Sequence, residues 1–491
     1  IRLSLVGSEM CIRDRYKEDK LSELLKHTDM RIRQKSQFEL ATRGEKGLDV
    51  FKQNISQTEN QLARVNSIWG VSQFARKDLK HAQILVPLLK DADPEIRAQA
   101  AKWIGDVRYK DAGAVLLPLL KDEFSRARFF AAEALGRIAY ESAINPIIEL
   151  LRSNNDEDIY IRHAGSLALA RIGKEEPIVA LSKDPSRAVR IAAVVALRRL
   201  KNPRTAEFLE DSDEYIVTEA ARAINDDLSI EAALPALGDV LNNYRFTNEA
   251  LIRRAINANL RVGNDRAMQN LIDYAKHEGS PVAMRAEAID ALSTWTKPSV
   301  LDRVDGRFRG AITRDPQVVK SKASDILVQL SGNKESSIRL SSVKAIGKLS
   351  IDKASSQLFT LLKSDPKPEV RAESLKSLAS LNDKQIGDAI TKALSDKEKS
   401  VRVVGLDLLP KMNISKELML TLLTDVINTK TVEEKQAAIT TLGSLPSENS
   451  QKLLEQLLTR MESGKLPSET YLELAEAIDS TRSPQLIARY K

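Results

Sequence analysis

Pro87-Leu-Leu-Lys-Asp91 recurs letter for letter as Pro118-Leu-Leu-Lys-Asp122, 31 residues further along the chain. In each copy an Arg follows the Asp at the sixth position, Arg97 after Asp91 and Arg128 after Asp122. The same spacing returns as Asp156–Arg162, Asp184–Arg190, Asp365–Arg371 and Asp396–Arg402. Self-similarity at such a period signals supersecondary units that stack on one another. The fold class this implies is all-α, an α-solenoid, which presents long surfaces to partners and seldom builds a catalytic pocket by itself.

Each unit reads as two helices. The first is short and apolar: Leu85, Leu88 and Leu89 in one copy, Leu116, Leu117, Leu119 and Leu120 in the next. Leu85, Leu88 and Leu89 stand at i, i+3 and i+4 and share one helical face. A turn follows, often Asp-Pro (Asp93-Pro94, Asp184-Pro185, Asp315-Pro316, Asp365-Pro366). Asp can accept from the free N–H groups of a new helix, and Pro wastes no donor in its first turn. The second helix is rich in Ala and Gly, as in Ile96 to Gly105, which permits close helix approach. Each unit leaves an apolar face that only a neighbour can cover, so the units must stack.

The recurring acid and base have an electrostatic use. With Asp at the inter-helix turn and Arg a turn and a half into the second helix, stacking lines up carboxylates and guanidiniums. Each Arg is expected to bridge the turns of adjacent repeats with charge-assisted bonds. Asp91, Arg97, Asp122, Arg128, Asp156, Arg162, Asp184, Arg190, Asp365, Arg371, Asp396 and Arg402 form this structural ladder. As exposed pairs they are expected to contribute at most about 1 kcal/mol each and to set register.

This phase, with a hydrophobic residue directly before the Arg and an Ala134-Leu135-Gly136 or Ala345-Ile346-Gly347 close, resembles the HEAT repeats. The form is the short one of bacterial proteins, related to phycobilin-lyase-like repeats. Counting the Arg or its equivalent gives 33, 64, 97, 128, 162, 190, 217, 253, 285, 320, 339, 371, 402 and 436, with Val217, Lys320 and Gln436 as departures. The step from Lys320 to Arg339 is too short for a helix pair. An irregular region is therefore expected near 298–335 of an otherwise continuous solenoid over 16–491.

Residues 1–15, Ile-Arg-Leu-Ser-Leu-Val-Gly-Ser-Glu-Met-Cys-Ile-Arg-Asp-Arg, fit no repeat and closely resemble translated sequencing adapter. They are read as non-native and expected to pack against nothing. On that reading Cys11 is foreign, the natural N-terminus lies elsewhere, and the chain is a fragment whose compartment is unknown.

Composition agrees with a repeat array. Aromatic residues are 4% and charged residues 29% of the chain, and no apolar run is long enough to span a bilayer. His27, His81, His163 and His277 share no ligand spacing, and with no native cysteine the expectation is no metal, no cofactor and no catalytic residue. Walker, Rossmann and nucleophile-elbow motifs are missing. The net charge of +7 is a small excess, 75 basic against 68 acidic residues, interleaved along the chain. A nucleic-acid-binding array, or a HEAT-like DNA alkyl-base glycosylase, would need a basic track with aromatics between, and none is assembled.

Ile161 to Ala170, Thr247 to Gly263 and Pro298 to Gly310 also look like the HEAT section of large bacterial proteins. In those, a sugar-dehydrogenase-like propeller precedes the repeats and a cytochrome c domain follows. That resemblance implies an exported, periplasmic spacer between redox domains; without it a cytoplasmic scaffold is expected. No Cys-x-x-Cys-His occurs, so this chain itself attaches no haem. The leading expectation is a non-catalytic protein-interaction or domain-spacing scaffold, whose partner is a protein or a flanking domain. Pro298 and Asp305-Gly306 break the helical pattern and gather Arg303, Arg307, Phe308, Arg309 and Arg314, the candidate interaction residues.

Overall fold

The computed structural model describes residues 15–445 and 447–490. The expectation that residues 1–15 pack against nothing therefore lies, apart from Arg15, outside the described residues, and so does Cys11. The fold is an α-solenoid of antiparallel helix pairs, and it divides into two compact units, Ile1–Ala236 and Leu237–Lys491.

In the first unit the second helices of the pairs are Met30–Thr42, Gln61–Lys77, Pro94–Asp106, Ser125–Arg137, Ile159–Ile172, Arg187–Leu200 and Glu214–Asn225. Each packs on the next. In the second unit the succession runs Glu249–Val262, Val282–Ser293, Ser336–Leu349, Pro368–Ser380, Lys399–Leu408, Val432–Gly443 and Tyr471–Thr481, again each on the next. Small residues make this spacing possible. A Cβ on Gly105 would lie 2.6 Å from the Cα of Ala134, and one on Gly136 would lie 2.6 Å from the Cα of Ala168. The glycine near the end of one second helix is thus the seat for the backbone of the following one. Ile96, Ala100, Ala101 and Ile104 are fully buried beneath it.

Several first helices wind as 3₁₀ turns, among them Leu79–Lys90, Leu117–Lys121 and Pro203–Glu210. Pro87 and Pro118 have no N–H for the i→i−4 ladder, and tightening to i→i−3 bonds accommodates them.

Two expectations need correction. Asp93 and Asp315 cap their helices, accepting from Glu95 N and Gln317 N at 2.9 Å. Asp184 and Asp365 do not; they lie two residues ahead of the caps, Ser186 and Lys367, and accept from those residues' N–H groups at 2.8 and 2.9 Å. The irregular region is also shorter than 298–335. Pro316–Leu330 and Ser336–Leu349 form an ordinary helix pair, and Lys320 lies in its first helix, out of the ladder phase. The irregular segment is the non-helical stretch that ends at Asp315.

Candidate interaction site

The ladder is built from one repeated use of the guanidinium. Nη1 of Arg97 donates to the carbonyls of Asp91 and Ala92 at 2.8 and 3.2 Å, closing its own turn. Its Nε–Nη2 edge faces the next repeat and grips both oxygens of Asp122 at 2.7 and 2.8 Å. Arg190 holds Asp211 (2.7 and 3.5 Å), Arg339 holds Asp365 (2.7 and 3.0 Å) and Arg371 holds Asp396 (2.7 and 2.8 Å) in the same way. Arg402 grips Glu434 at 2.5 and 3.0 Å, and Asp91 is held by Arg64. The Asp and Arg that stand six apart in sequence therefore meet through the Asp carbonyl, while the carboxylate belongs to the preceding repeat's Arg.

Two positions depart from this. Asp156 has φ 67 and turns both oxygens onto its own Arg162, at 2.9 and 2.8 Å. Asp184 is taken by Arg152 from the preceding first helix, at 2.7 Å. The regular pairs, by contrast, are less exposed than a surface ladder: the Arg371 and Asp396 side chains keep 5% and 7% of their accessible surface. Arg97 holds the Asp122 carboxyl below its usual range. For Asp396, burial pushes the carboxyl up, but Arg371 and the Glu398 N–H outweigh it and keep it low. Spacing places Asp211 in phase ahead of Val217, but it does not reveal Glu434, which enters from helix Val432–Gly443 rather than from the turn.

Residues 299–309 form a small hairpin in this helical chain. Asp302 N donates to Arg307 O and Arg309 N to Val300 O, both at 2.8 Å, with Leu301 opposite Phe308 and Gly306 turning at φ 72. Asp302 ties it down from below. Its buried carboxylate accepts from Val304 N (2.8 Å), Asp305 N (3.2 Å), Asn257 Nδ2 (2.9 Å) and Arg309 Nε (3.2 Å), with Arg261 at 3.6 Å. Burial would raise this carboxyl; the Val304 N–H and the Asn257 amide hold it below the ordinary value.

The candidate interaction residues consequently separate into two groups. Arg309 points inward to Asp302 and Asp305. Arg314 is internal too: it donates to Trp295 O, Leu260 O and Arg261 O (2.8, 2.6 and 3.2 Å) and lies over the Trp295 ring. A cation on the last carbonyls of helix Glu249–Val262 suits the helix dipole, although burial lowers the pKa of this guanidinium. Gly263 leaves the room it needs. Arg303, Arg307 and Phe308 remain on the surface, with Phe308 72% exposed beside Val300 and Leu301 at 41% and 50%.

One surface was missed in the sequence. In the first unit Phe38, Trp69 and Trp103, from three successive second helices, line a groove of about 740 Å³ with Arg76, Lys77 and Lys102. Arg76 and Lys102 lie 5.3 and 3.7 Å from the Trp103 ring centroid. The available signal was phase: Phe38 and Trp69 each stand five residues after Arg33 and Arg64.

Among the described residues no His, Cys, Asp and Glu cluster is placed to hold a metal ion, and no helix is long and apolar enough to cross a membrane. The family model for HEAT repeats matches residues 82–159, 153–225 and 355–443. Similar solved structures include an engineered protein, 18% identical with a TM-score of 0.27, covering 79% of this chain and 97% of that one. Importin beta, crystallised in an ammonium sulfate condition, is 12% identical with a TM-score of 0.41, covering 97% of this chain and 74% of that one. No curated protein matches the chain.

Proposed function

Since the chain is a HEAT-repeat protein, we propose that it acts as a non-catalytic protein-interaction scaffold and docks its partner on the 299–309 hairpin. HEAT repeats commonly serve as such scaffolds. The observation that carries the reading is a pinned hairpin that exposes apolar residues. A buried carboxylate, two arginines and an asparagine hold Val300, Leu301 and Phe308 out in solvent. Left in water, that apolar surface gains nothing for folding; covered by a partner, it contributes roughly 25 cal/mol per Å² buried. Prior rigidity lowers the ordering cost of binding. A partner with an apolar recess suits this tip, whether a separate protein or another domain of the same polypeptide. Domain spacing is the same role played in cis.

The test is photo-crosslinking in the native cell from a reactive residue introduced at Phe308, beside a control at exposed Glu455. A discrete protein adduct is expected from position 308 alone, and it should vanish when Val300 and Leu301 become Ser. Indistinguishable adducts from the two positions would refute docking through the hairpin.

A further inference from the structure

The repeat supplies its own reference for what a ladder arginine normally holds, and Arg128 lacks it. Its Nη1 donates to the carbonyls of Asp122 and Glu123 at 2.7 and 3.0 Å, as in the other repeats. On the Nε–Nη2 edge, where Arg97, Arg190, Arg339, Arg371 and Arg402 each hold a carboxylate, no described residue forms a bond or an ion pair.

Two features keep the seat empty. Asp156, the carboxylate due from the next repeat, is turned back onto Arg162 by consecutive left-handed residues, Asn155 (φ 45) and Asp156 (φ 67). Asn154 braces that turn, donating to Asp158 O at 3.1 Å and accepting from Asp158 N at 3.3 Å. Asp122, the near carboxylate, is already committed to Arg97 and to Phe124 N.

Arg33 and Arg285 also lack a carboxylate, but Arg33 Nε and Arg285 Nη2 are sealed from solvent. Arg128 instead lines an open cavity of about 520 Å³, with Leu120, Glu123, Pro146, Glu149 and Ser153 among its walls.

We propose that the Nε–Nη2 edge of Arg128 is a binding site for a single carboxylate, supplied by an Asp or Glu side chain of a peptide segment. Only this source rests on the protein-interaction reading above; the seat itself rests on the geometry of the ladder. The guanidinium is pre-oriented by its two carbonyl bonds, so a bidentate ligand needs little further ordering. The charged walls, Lys121 against Asp122, Glu123 and Glu149, treat any single anionic charge alike; Leu120 and Pro146 favour a carboxylate carried on a chain with apolar groups, a contact that free phosphate does not make.

The experiment follows the Arg128 Nε–H resonance of the whole chain by NMR. It is titrated with acetate, with N-acetyl-glutamate methylamide, with neutral N-acetyl-glutamine methylamide and with inorganic phosphate. Saturable shifts are expected from the two carboxylates, stronger from the glutamate compound, with the Arg97 Nε–H unmoved. Arg128→Gln and Arg128→Lys both remove the resonance, so the variants are read at backbone amides: helix content is kept, and carboxylate-induced shifts at residues 123–128 are lost in Arg128→Gln and weakened in Arg128→Lys, which has no two-pronged edge. Equal response to the glutamine compound, or none to either carboxylate, overturns the site. Tighter response to phosphate overturns the peptide assignment. None of these probes touches the hairpin, so failure here leaves the crosslinking test standing, and the converse holds.

Discussion

Replacing Asp396 by Ala is expected to destabilise the second unit by about 3–5 kcal/mol, the range for removing one partner of a buried ion pair. The structure supports that size. Arg371 is 4% exposed, and its Nε and Nη2 would lose both oxygens of Asp396, at 2.7 and 2.8 Å. Its Nη1 would stay bound to Asp365 O, so the charge could not swing out to water without breaking a third bond of 2.8 Å. Asp396 also accepts from Glu398 N at 2.8 Å, a bond worth about 1 kcal/mol that disappears as well. Asp396→Asn keeps the acceptor and the shape, so it should lose less. Arg371→Met with Asp396→Leu removes both charges and should cost less than Asp396→Ala alone. Urea titration followed by circular dichroism gives the overall change. Because solenoids can lose repeats piecemeal, hydrogen exchange of amides 368–380 localises it. A loss below about 1 kcal/mol, or a double variant worse than Asp396→Ala, would show that water screens the ladder like a surface pair and refute the reasoning.

The same carboxylates set a pH dependence. Asp91, Asp122, Asp396 and Glu434 all titrate below their ordinary values when folded, so the unfolded chain binds more protons at acid pH. Stability is then fully present above the unfolded pKa values of about 4 and falls as pH drops through the folded ones; a urea midpoint that rises on acidification would contradict the sign. Gly105→Ala gains up to about 1 kcal/mol of helix propensity but sets a Cβ 2.6 Å from the Cα of Ala134, and overpacking of about 1–3 kcal/mol should win. A higher melting temperature for that variant would mean that the second helices of adjacent repeats do not approach so closely.

The helix pairs were legible because their signals are local. Apolar periodicity, the Ala-Leu-Gly close and the Asp-x5-Arg phase all lie within one repeat. Partner choice was less legible, since the contacts of Arg97 with Asp122 and of Arg371 with Asp396 each join residues 25 apart. Spacing shows that acid and base recur in register, but not which edge of the guanidinium faces which repeat. Counting by a fixed period failed at Lys320 for a related reason: the hairpin lies between helices Val282–Ser293 and Ser336–Leu349, so the next ladder residue after Arg285 is Arg339. Arg309 and Arg314 were misjudged as surface anchors because what turns them inward, Asp302 held by Asn257 and Arg261, and the carbonyls of Leu260 and Arg261, depends on a helix some 50 residues earlier.

A repeat array carries an internal control that a single-core domain lacks, because each position is seen many times in the same chain. Where the common rule is obeyed, as at Arg97 or Arg371, residue choice is explained by packing and charge pairing and calls for no function. Exceptions divide by a physical criterion. At Arg33 and Arg285 the unpaired atoms, Nε and Nη2, are themselves buried, a cost that a ligand arriving from solvent does not reach. Arg128 and the 299–309 hairpin break the rule where solvent, and therefore a partner, can reach. A guanidinium without its carboxylate and an apolar tip without cover are each less stable alone than when occupied. That difference is the free energy available for binding, and it places the two exceptions ahead of the more numerous regular positions as sites for mutation.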